Sequence, residues 1–381
     1  MNFDDIRAYS DEEIPSVIER LINDKQFINL LSTLFPLLPK DILKQELLSV
    51  KSTYEFQKRF AYPFLKDLEA NRTRGISFEG VESIDKSKPY LYISNHRDIT
   101  LDSVLLCLIM IENGMDTMGI AIGDNLMIYP WIEDFVRINK GFVVKRSLNM
   151  RKALEASQQL SAYIRHLITD TKRSIWIAQR EGRSKDSKDC TQESLLRMLT
   201  FSSDSDFYEN FSELHICPLT ISYEFDPTDY LKAKEFQLKR DNPEYKKQPQ
   251  DDLINMQVGI LGYRGRVVYR ISGEIDKQLK QINSETTVFK EQITSLAKEI
   301  DKVIHSNYAI FNVNKIAHDL LKKEQRFAKE YTSEERSFFE QYISNQISKI
   351  DLENKDLDFL RMKILEMYAN PLLNKLEACD L

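Results

Sequence analysis

Histidine is scarce in this chain, five residues in 381. One of them, His96, directly follows the segment Tyr90-Leu91-Tyr92-Ile93-Ser94-Asn95, and Asp98 and Asp102 come soon after it. A histidine at the carboxyl end of a strand stands where α/β folds place their ligands. An aspartate one helical turn further on can accept a hydrogen bond from Nδ1–H, fix the tautomer and stabilise the imidazolium. The other ring nitrogen is then free to take a proton from a hydroxyl. Taken alone, the same residues also describe a surface histidine beside a helix-capping aspartate. The surroundings therefore have to decide.

The string His96-Arg97-Asp98 invites comparison with a protein-kinase catalytic loop, and it fails that comparison. Such a loop needs an asparagine four or five residues beyond its aspartate to hold a metal ion, and those positions are Asp102 and Ser103. No glycine-rich loop precedes the string and no Asp-Phe-Gly follows it. Three other segments carry chemistry. Gly141-Phe142-Val143-Val144-Lys145-Arg146 is a short strand that delivers an arginine. Arg180-Glu181-Gly182-Arg183-Ser184-Lys185 follows a second apolar run, and Pro218-Leu219-Thr220-Ile221-Ser222-Tyr223 is a third. Each has an ordinary reading by itself: a strand-end charge, a turn glycine, a strand-opening proline.

These segments need a scaffold, and the hydrophobic pattern supplies one. Residues 1–78 read as helices, with Ile14, Val17, Ile18, Leu21 and Ile22 at helical spacing and prolines at 36, 39 and 63 as punctuation. From about 88 to 276 short apolar runs alternate with longer amphipathic ones. Strands are predicted at 90–94, 118–122, 141–144, 174–178, 215–222 and 266–272, with a helix over 149–169, and that alternation is the α/β signature. Residues 237–252 are polar with two prolines and read as a surface loop. From about 285 the chain is helical again, with no glycine after Gly273. The expectation is an α/β fold with a central mixed sheet flanked by helices, an N-terminal helical domain (1–78), an α/β domain (79–284) and a C-terminal helical extension (285–381).

Composition narrows the function. Apolar residues make up 42% and charged residues 29% of the chain, enough for a core and too apolar for a disordered chain. The longest charge-free apolar run, 27–39, is broken by Pro36 and falls short of the roughly 18–25 residues a spanning helix needs. The amino terminus is acidic where a signal peptide is basic. The four cysteines are scattered with no CxxC spacing, so neither disulfides nor a structural zinc is expected, and a reducing cytoplasm is the default. A net charge of −6 argues against nucleic acid as a partner. Yet residues 137–188 hold thirteen Lys or Arg against four Asp or Glu, which points either to an anionic ligand held there or to a solvated helical face.

In their order and spacing the four segments resemble the conserved blocks of the glycerolipid acyltransferases, the enzymes that acylate glycerol 3-phosphate, lysophosphatidate or dihydroxyacetone phosphate. Asn95-His96-Arg97-Asp98 with Asp102 resembles the first block, Gly141 to Arg146 the second, Glu181-Gly182-Arg183-Ser184 the third and Pro218 to Tyr223 the fourth. The likeness spans about 75–276. Here five residues separate His96 from Asp102 where the family has four, and the residue the family places between the glycine and arginine of the third block is missing. Asp98 and Asp102 are thus both candidates to orient His96. Asp102 is favoured because, on an ensuing helix, it can point back at the strand end.

The resemblance implies a mechanism and a set of roles. His96 would be general base on an acceptor hydroxyl that attacks an acyl thioester, acyl-CoA or acyl carrier protein, with no covalent acyl-enzyme, no cofactor beyond that co-substrate and no metal. Arg146 and Arg183 would take the acceptor phosphate, with Lys140, Lys145 and Lys185 adding field. Asn95, Arg97, Gly141, Glu181, Gly182, Ser184 and Pro218 complete the implied binding site. An acyl substrate needs a route from membrane or carrier, so residues 27–38 could lie at the inner face of the cell membrane with Lys58, Arg59, Arg72 and Arg74 near headgroups; a core helix is the competing reading. Glycerol 3-phosphate is the expected acceptor, with 1-acylglycerol 3-phosphate or another lysolipid as the alternative. An inactive lipid- or carrier-binding module is a further alternative, and the helical tail leaves room for a scaffold or oligomer. A carboxylate within hydrogen-bond reach of His96 Nδ1 separates enzyme from binding module.

Overall fold

The computed structural model describes residues 1–146 and 148–379. Five helices come first: α1 (Ile14–Asn23), α2 (Lys25–Leu34), α3 (Lys40–Leu48), α4 (Thr53–Phe56) and α5 (Tyr62–Arg72). Local chemistry sets their breaks. The Asp24 carboxylate accepts from the amides of Gln26 at 2.8 Å and Phe27 at 2.9 Å, satisfying two of the donors that a helix start leaves open. The apolar stripe Ile14, Val17, Ile18 and Leu21 is buried against Phe27, Leu31, Leu43 and Leu47. Within 27–38, Phe27, Ile28 and Leu31 face this core while Leu30, Leu37 and Leu38 are exposed.

The α/β body follows. Its strands are β1 (Ile76–Glu79), β2 (Leu91–Ser94), β3 (Gly119–Gly123), β4 (Gly141–Val144), β5 (Ile175–Ala178), β6 (Ile216–Tyr223) and β7 (Val267–Ile271). Between them lie α6 (Leu101–Glu112), α7 (Pro130–Ile138), α8 (Met150–Thr169), α9 (Glu193–Leu199), α10 (Phe207–Ser212), α11 (Asp229–Asp241) and α12 (Pro249–Leu261). The helices α13 (Asp276–Glu285), α14 (Phe289–Ser306), α15 (Asn312–Lys322), α16 (Ser333–Ser348) and α17 (Leu357–Ala378) close the chain.

The sheet order is β1-β7-β6-β2-β5-β3-β4. Every neighbouring pair is parallel except β6 and β7, so β2 to β6 run one way and β1 and β7 the other. The sheet is mixed and flanked by helices on both faces. Leu91, Ile93, Ile175 and Ile177 pack on one face with α8 and α14, while Tyr92, Trp176 and Leu219 pack on the other with α6. Burial on both faces is why these strands read as continuous apolar runs. The shared direction of β2 to β6 brings their carboxyl ends to a single edge of the sheet.

Three features differ from the sequence expectation. The edge strand β1 was not expected; at four residues, alternating between half-buried and exposed, it gives little periodic signal. Its span also crosses the expected 78/79 boundary, and the amino-terminal segment joins the body too, since Val143 N donates to Ile6 O at 2.8 Å. Finally, 237–252 is not a continuous loop: α11 runs to Asp241 and α12 begins at Pro249. The α12 helix lies on the turn after β2, where a Cβ on Gly259 would come within 2.4 Å of Asp98 Oδ2. Only glycine permits that approach.

The C-terminal helices pack onto the body through a buried carboxylate. Asp229 accepts from the hydroxyls of Tyr342 at 2.8 Å and Tyr368 at 2.9 Å, and from Gln346 Nε2 at 2.5 Å. Burial, then the nearby Asp226, pushes its carboxyl up to about 7. A carboxyl whose folded value lies above its unfolded one binds more protons in the native state across the interval between them, so stability falls as pH rises there. Chemical denaturation of the native chain is expected to show stability falling between about pH 4 and pH 7. The slope should flatten in Asp229→Asn, and an unchanged slope would refute the assignment.

Candidate active site

The ladder of β2 ends at Ser94, and the next residue replaces it with a side chain. Buried Asn95 donates from Nδ2 to Ile221 O at 2.9 Å and accepts from Ile221 N at Oδ1 at 2.8 Å. Its amide extends the β2–β6 pairing by one step and fixes where His96 emerges. Asn95 is thereby turned into the protein, away from the cleft.

The ring of His96 stands on Asp102. Its Nδ1 lies 2.8 Å from Asp102 Oδ2, and the same oxygen accepts from the amides of Arg97 at 2.6 Å and Asp98 at 3.1 Å. The Tyr223 hydroxyl donates to the other oxygen at 2.8 Å. Burial pulls the Asp102 carboxyl upward, but the contacts with His96, the Arg97 amide and Tyr223 outweigh it and hold the group below its ordinary value. An ionised carboxylate can only accept, so Nδ1 carries the hydrogen and Nε2 is left as an acceptor. The edge of the His96 ring meets Trp176 with centroids 5.5 Å apart at 70°, and Trp176 is itself pinned by donation to Ser94 Oγ at 2.9 Å.

Asp98 has another task. Its Oδ1 accepts from the amides of Thr100 and Leu101 at 2.9 Å each, capping α6, and its Oδ2 is 3.4 Å from the fully buried Arg264. Asp98 holds the helix start, and Asp102, in the first turn of α6, reaches back to the histidine.

His96 opens onto a cleft of about 320 Å³ at the carboxyl ends of β2 to β5. Of the residues expected there, His96, Arg146, Glu181, Gly182, Arg183 and Lys185 line it. Arg146 Nη1 is 3.5 Å from Glu181, and Arg183 donates to Asn255 Oδ1 at 3.1 Å and to Thr228 Oγ1 at 3.4 Å. Gly182 has φ +67°, and a Cβ there would meet nothing within 4 Å, so the turn's left-handed backbone is what calls for glycine. Ile99, Ile122, Leu126 and Trp176 give the cleft an apolar side.

The other expected residues lie elsewhere. Arg97 is buried, its guanidinium paired with Asp189 and 3.1 Å from the Tyr308 hydroxyl. Ser184 is buried and donates to Asp186 at 2.9 Å. Gly141 starts β4 where a Cβ would strike Val136 at 2.4 Å, and Pro218 is buried within β6 opposite Ile93. Lys140 and Lys145 pair with Asp116 and Asp5. In exchange the structure brings in Arg180, whose Nε is buried without a hydrogen-bond partner among the described residues, and Lys247 with Asp252 from the α12 region. Arg180 was legible two residues beyond the end of β5. Lys247 and Asp252 were not, because nothing local ties them to the strand ends.

A parallel sheet edge bearing a histidine–carboxylate pair, opening on a cleft lined by arginine and lysine, is an arrangement chemically able to take a proton from a bound hydroxyl beside an anionic group. Residues 75–222, spanning β1 to nearly all of β6, match the family model described as Acyltransferase. Over that segment the chain is similar to the acyltransferase family. No curated protein matches the sequence. Among solved structures, the 1-acyl-sn-glycerophosphate (LPA) acyltransferase PlsC from Thermotoga maritima is similar, with 14% identity and a TM-score of 0.37 over 76% of this chain and 91% of that one.

The division of labour between the two aspartates is testable by stability. Asp98→Asn keeps a good helix cap but leaves Arg264 buried without its counter-charge, a change that costs about 3 kcal/mol. Denaturant titration is expected to show a loss of that order, and a loss below about 1 kcal/mol would count against a structural role for the pair.

Proposed function

We propose that this protein moves an acyl group from an acyl thioester, acyl-CoA or acyl carrier protein, to a hydroxyl of glycerol 3-phosphate. The observation that carries the reading is the 2.8 Å contact of His96 with Asp102 on a cleft that also takes Arg146 and Arg183. That contact also weighs against an inactive binding module. Nε2 of His96 takes the acceptor's proton as its oxygen attacks the thioester carbonyl. The new C–O bond forms, the C–S bond breaks, and the thiolate leaves and recovers the proton from the imidazolium. Asp102 stabilises the charged ring in between. Because the thioester is already activated, positioning and proton removal supply most of what is needed.

Arg146 and Arg183 hold the acceptor phosphate, since guanidinium matches phosphate in a bidentate way. Arg180 adds positive field, Lys185 is countered by Glu235, and Glu181 and Gly182 shape the glycerol end. Arg97 lends no support to a glycerol 3-phosphate acceptor, because it is buried away from the cleft. A lysolipid acceptor is the second reading, favoured by Ile99, Ile122 and Leu126 beside His96.

The deciding experiment is transfer from labelled acyl-CoA or acyl carrier protein to glycerol 3-phosphate and, in parallel, to 1-acylglycerol 3-phosphate. Product with glycerol 3-phosphate is expected, falling by about 10³-fold or more in His96→Ala and Asp102→Asn. Arg183→Met should raise the acceptor KM by about tenfold, the effect of losing a charge-assisted contact. Product with the lysolipid alone would select the second reading, and none with either, from folded protein, would overturn both.

The acyl chain also needs a route to the cleft. No helix among the described residues is long and apolar enough to cross a membrane. The helix α2 exposes Leu30, and the turn between α2 and α3 exposes Leu37 and Leu38, Leu37 to 94%, on the unit that carries Lys58 and Arg59. A peripheral seat on anionic lipid follows. Co-sedimentation with anionic vesicles is expected and should be lost in Leu37→Asp with Leu38→Asp; equal recovery of both proteins with the vesicles would refute it.

A further inference from the structure

The carbonyl next to the catalytic histidine is held by a lysine that no motif announces. Lys232 on α11 is 1% exposed; its Nζ donates to Arg97 O at 3.0 Å and to the Asp226 carboxylate. Taking an ammonium out of water is costly even when it is paired, and an apolar side chain of similar length would pack there without that penalty. Its position gives it a mechanical consequence. The Arg97 amide and His96 Nδ1 share one oxygen of Asp102, so any shift of residue 97 moves the imidazole relative to its carboxylate. Lys232 grips the other end of that same residue.

The lysine is aimed by the C-terminal helices. The Asp226 amide donates to the Tyr368 hydroxyl at 2.9 Å. Three residues on, Asp229 receives Tyr342, Tyr368 and Gln346, so α16 and α17 together clamp the 226–229 turn that leads into α11. The Asp226 carboxylate in turn accepts from Thr228 N at 2.9 Å and Thr228 Oγ1 at 2.8 Å, which leaves its second oxygen facing Lys232. A continuous set of buried contacts thus runs from the tail of the chain to the turn carrying His96. The guanidinium of Arg97, held by Asp189 and Tyr308, anchors the same turn from another side.

We propose that Lys232 is a positioning residue for acyl transfer, fixing the turn 95–98 so that His96 and the Arg97 amide meet Asp102 together, and that α16 and α17 act on the active site through it. The proposal rests on His96 being the base. Misplacing a reacting group by about 1 Å can cost 10²-fold in rate, which sets the scale of the effect.

The test compares Lys232→Met, Lys232→Arg, Tyr368→Phe and His96→Ala in the full chain, each checked for folding by circular dichroism and thermal melting. Lys232→Met is expected to lower kcat by about 10- to 100-fold, with the acceptor KM changed less than about threefold, and to alter the acid limb of the kcat–pH profile. Lys232→Arg, which keeps a cationic donor, should recover part of kcat. Tyr368→Phe leaves Lys232 in place and should lower kcat several-fold at constant KM. A folded Lys232→Met with wild-type kcat and pH profile, or one changed in KM alone, would overturn the proposal. If Lys232→Met does not fold, wild-type kcat in Tyr368→Phe overturns it and a fall in kcat at constant KM supports it. Activity retained in His96→Ala would instead sink the base assignment, a separate failure.

Discussion

One oxygen atom organises the active edge of this protein. Asp102 Oδ2 gathers the ring nitrogen of His96 and the amides of Arg97 and Asp98, three donors within 3.1 Å. A carboxylate so supplied is held below its ordinary value even though burial pulls it upward. The two amides start the turn into α6, so the contacts that order the backbone are those that orient the His96 ring. Local folding and chemistry cannot be separated here: a chain lacking the turn would lack the tautomer.

Other parts of the molecule keep that turn in register. Asn95 continues the sheet pairing with its side-chain amide, Asp98 caps α6, and Gly259 lets α12 lie against the capping carboxylate. Arg97 and Arg264 fill the space behind it, each facing a buried carboxylate. Buried ion pairs contribute little net stability, yet losing one partner is costly. Arrays of this kind favour one arrangement over its neighbours more than they stabilise the fold. The cleft in front follows the opposite rule. Its guanidiniums are only lightly countered, by Glu181 and by neutral partners such as Asn255, which leaves positive charge for a bound anion.

The α/β body and the helices around it are not independent layers. Residues of α14 join the core on one face of the sheet, and α15 to α17 pack with Phe225, Ala233 and Val268. The amino-terminal helices bury Ile138 at the end of α7. Dividing the chain at composition shifts separates runs of similar pattern. Packing cuts across those runs, because an amphipathic helix buries its face against whatever apolar surface the fold presents.

What the sequence by itself determined is whatever short-range pattern encodes. Six of the seven strands are legible from apolar runs bounded by turn residues, as are the helix over 149–169 and the segments placed at strand ends, because side-chain periodicity and turn chemistry act over a few residues. The four-residue edge strand β1 gave too little pattern, and the polar face of the last turn of α11 looked like loop. The sequence favoured Asp102 over Asp98 as the partner of His96, and tertiary structure decided it: α6 aims Asp102 at Nδ1, while Asp98 is taken up by the amides at the helix start and by Arg264. Tertiary structure also turned Arg97 inward to Asp189, brought Asp252 and Lys247 to the cleft, and set Lys232 behind the turn that carries His96, 135 residues from the carbonyl it holds. Those outcomes depend on strand order and on charges finding partners across long loops. The free energy of such a pairing resides in the meeting of two distant residues and leaves no mark on the sequence around either one.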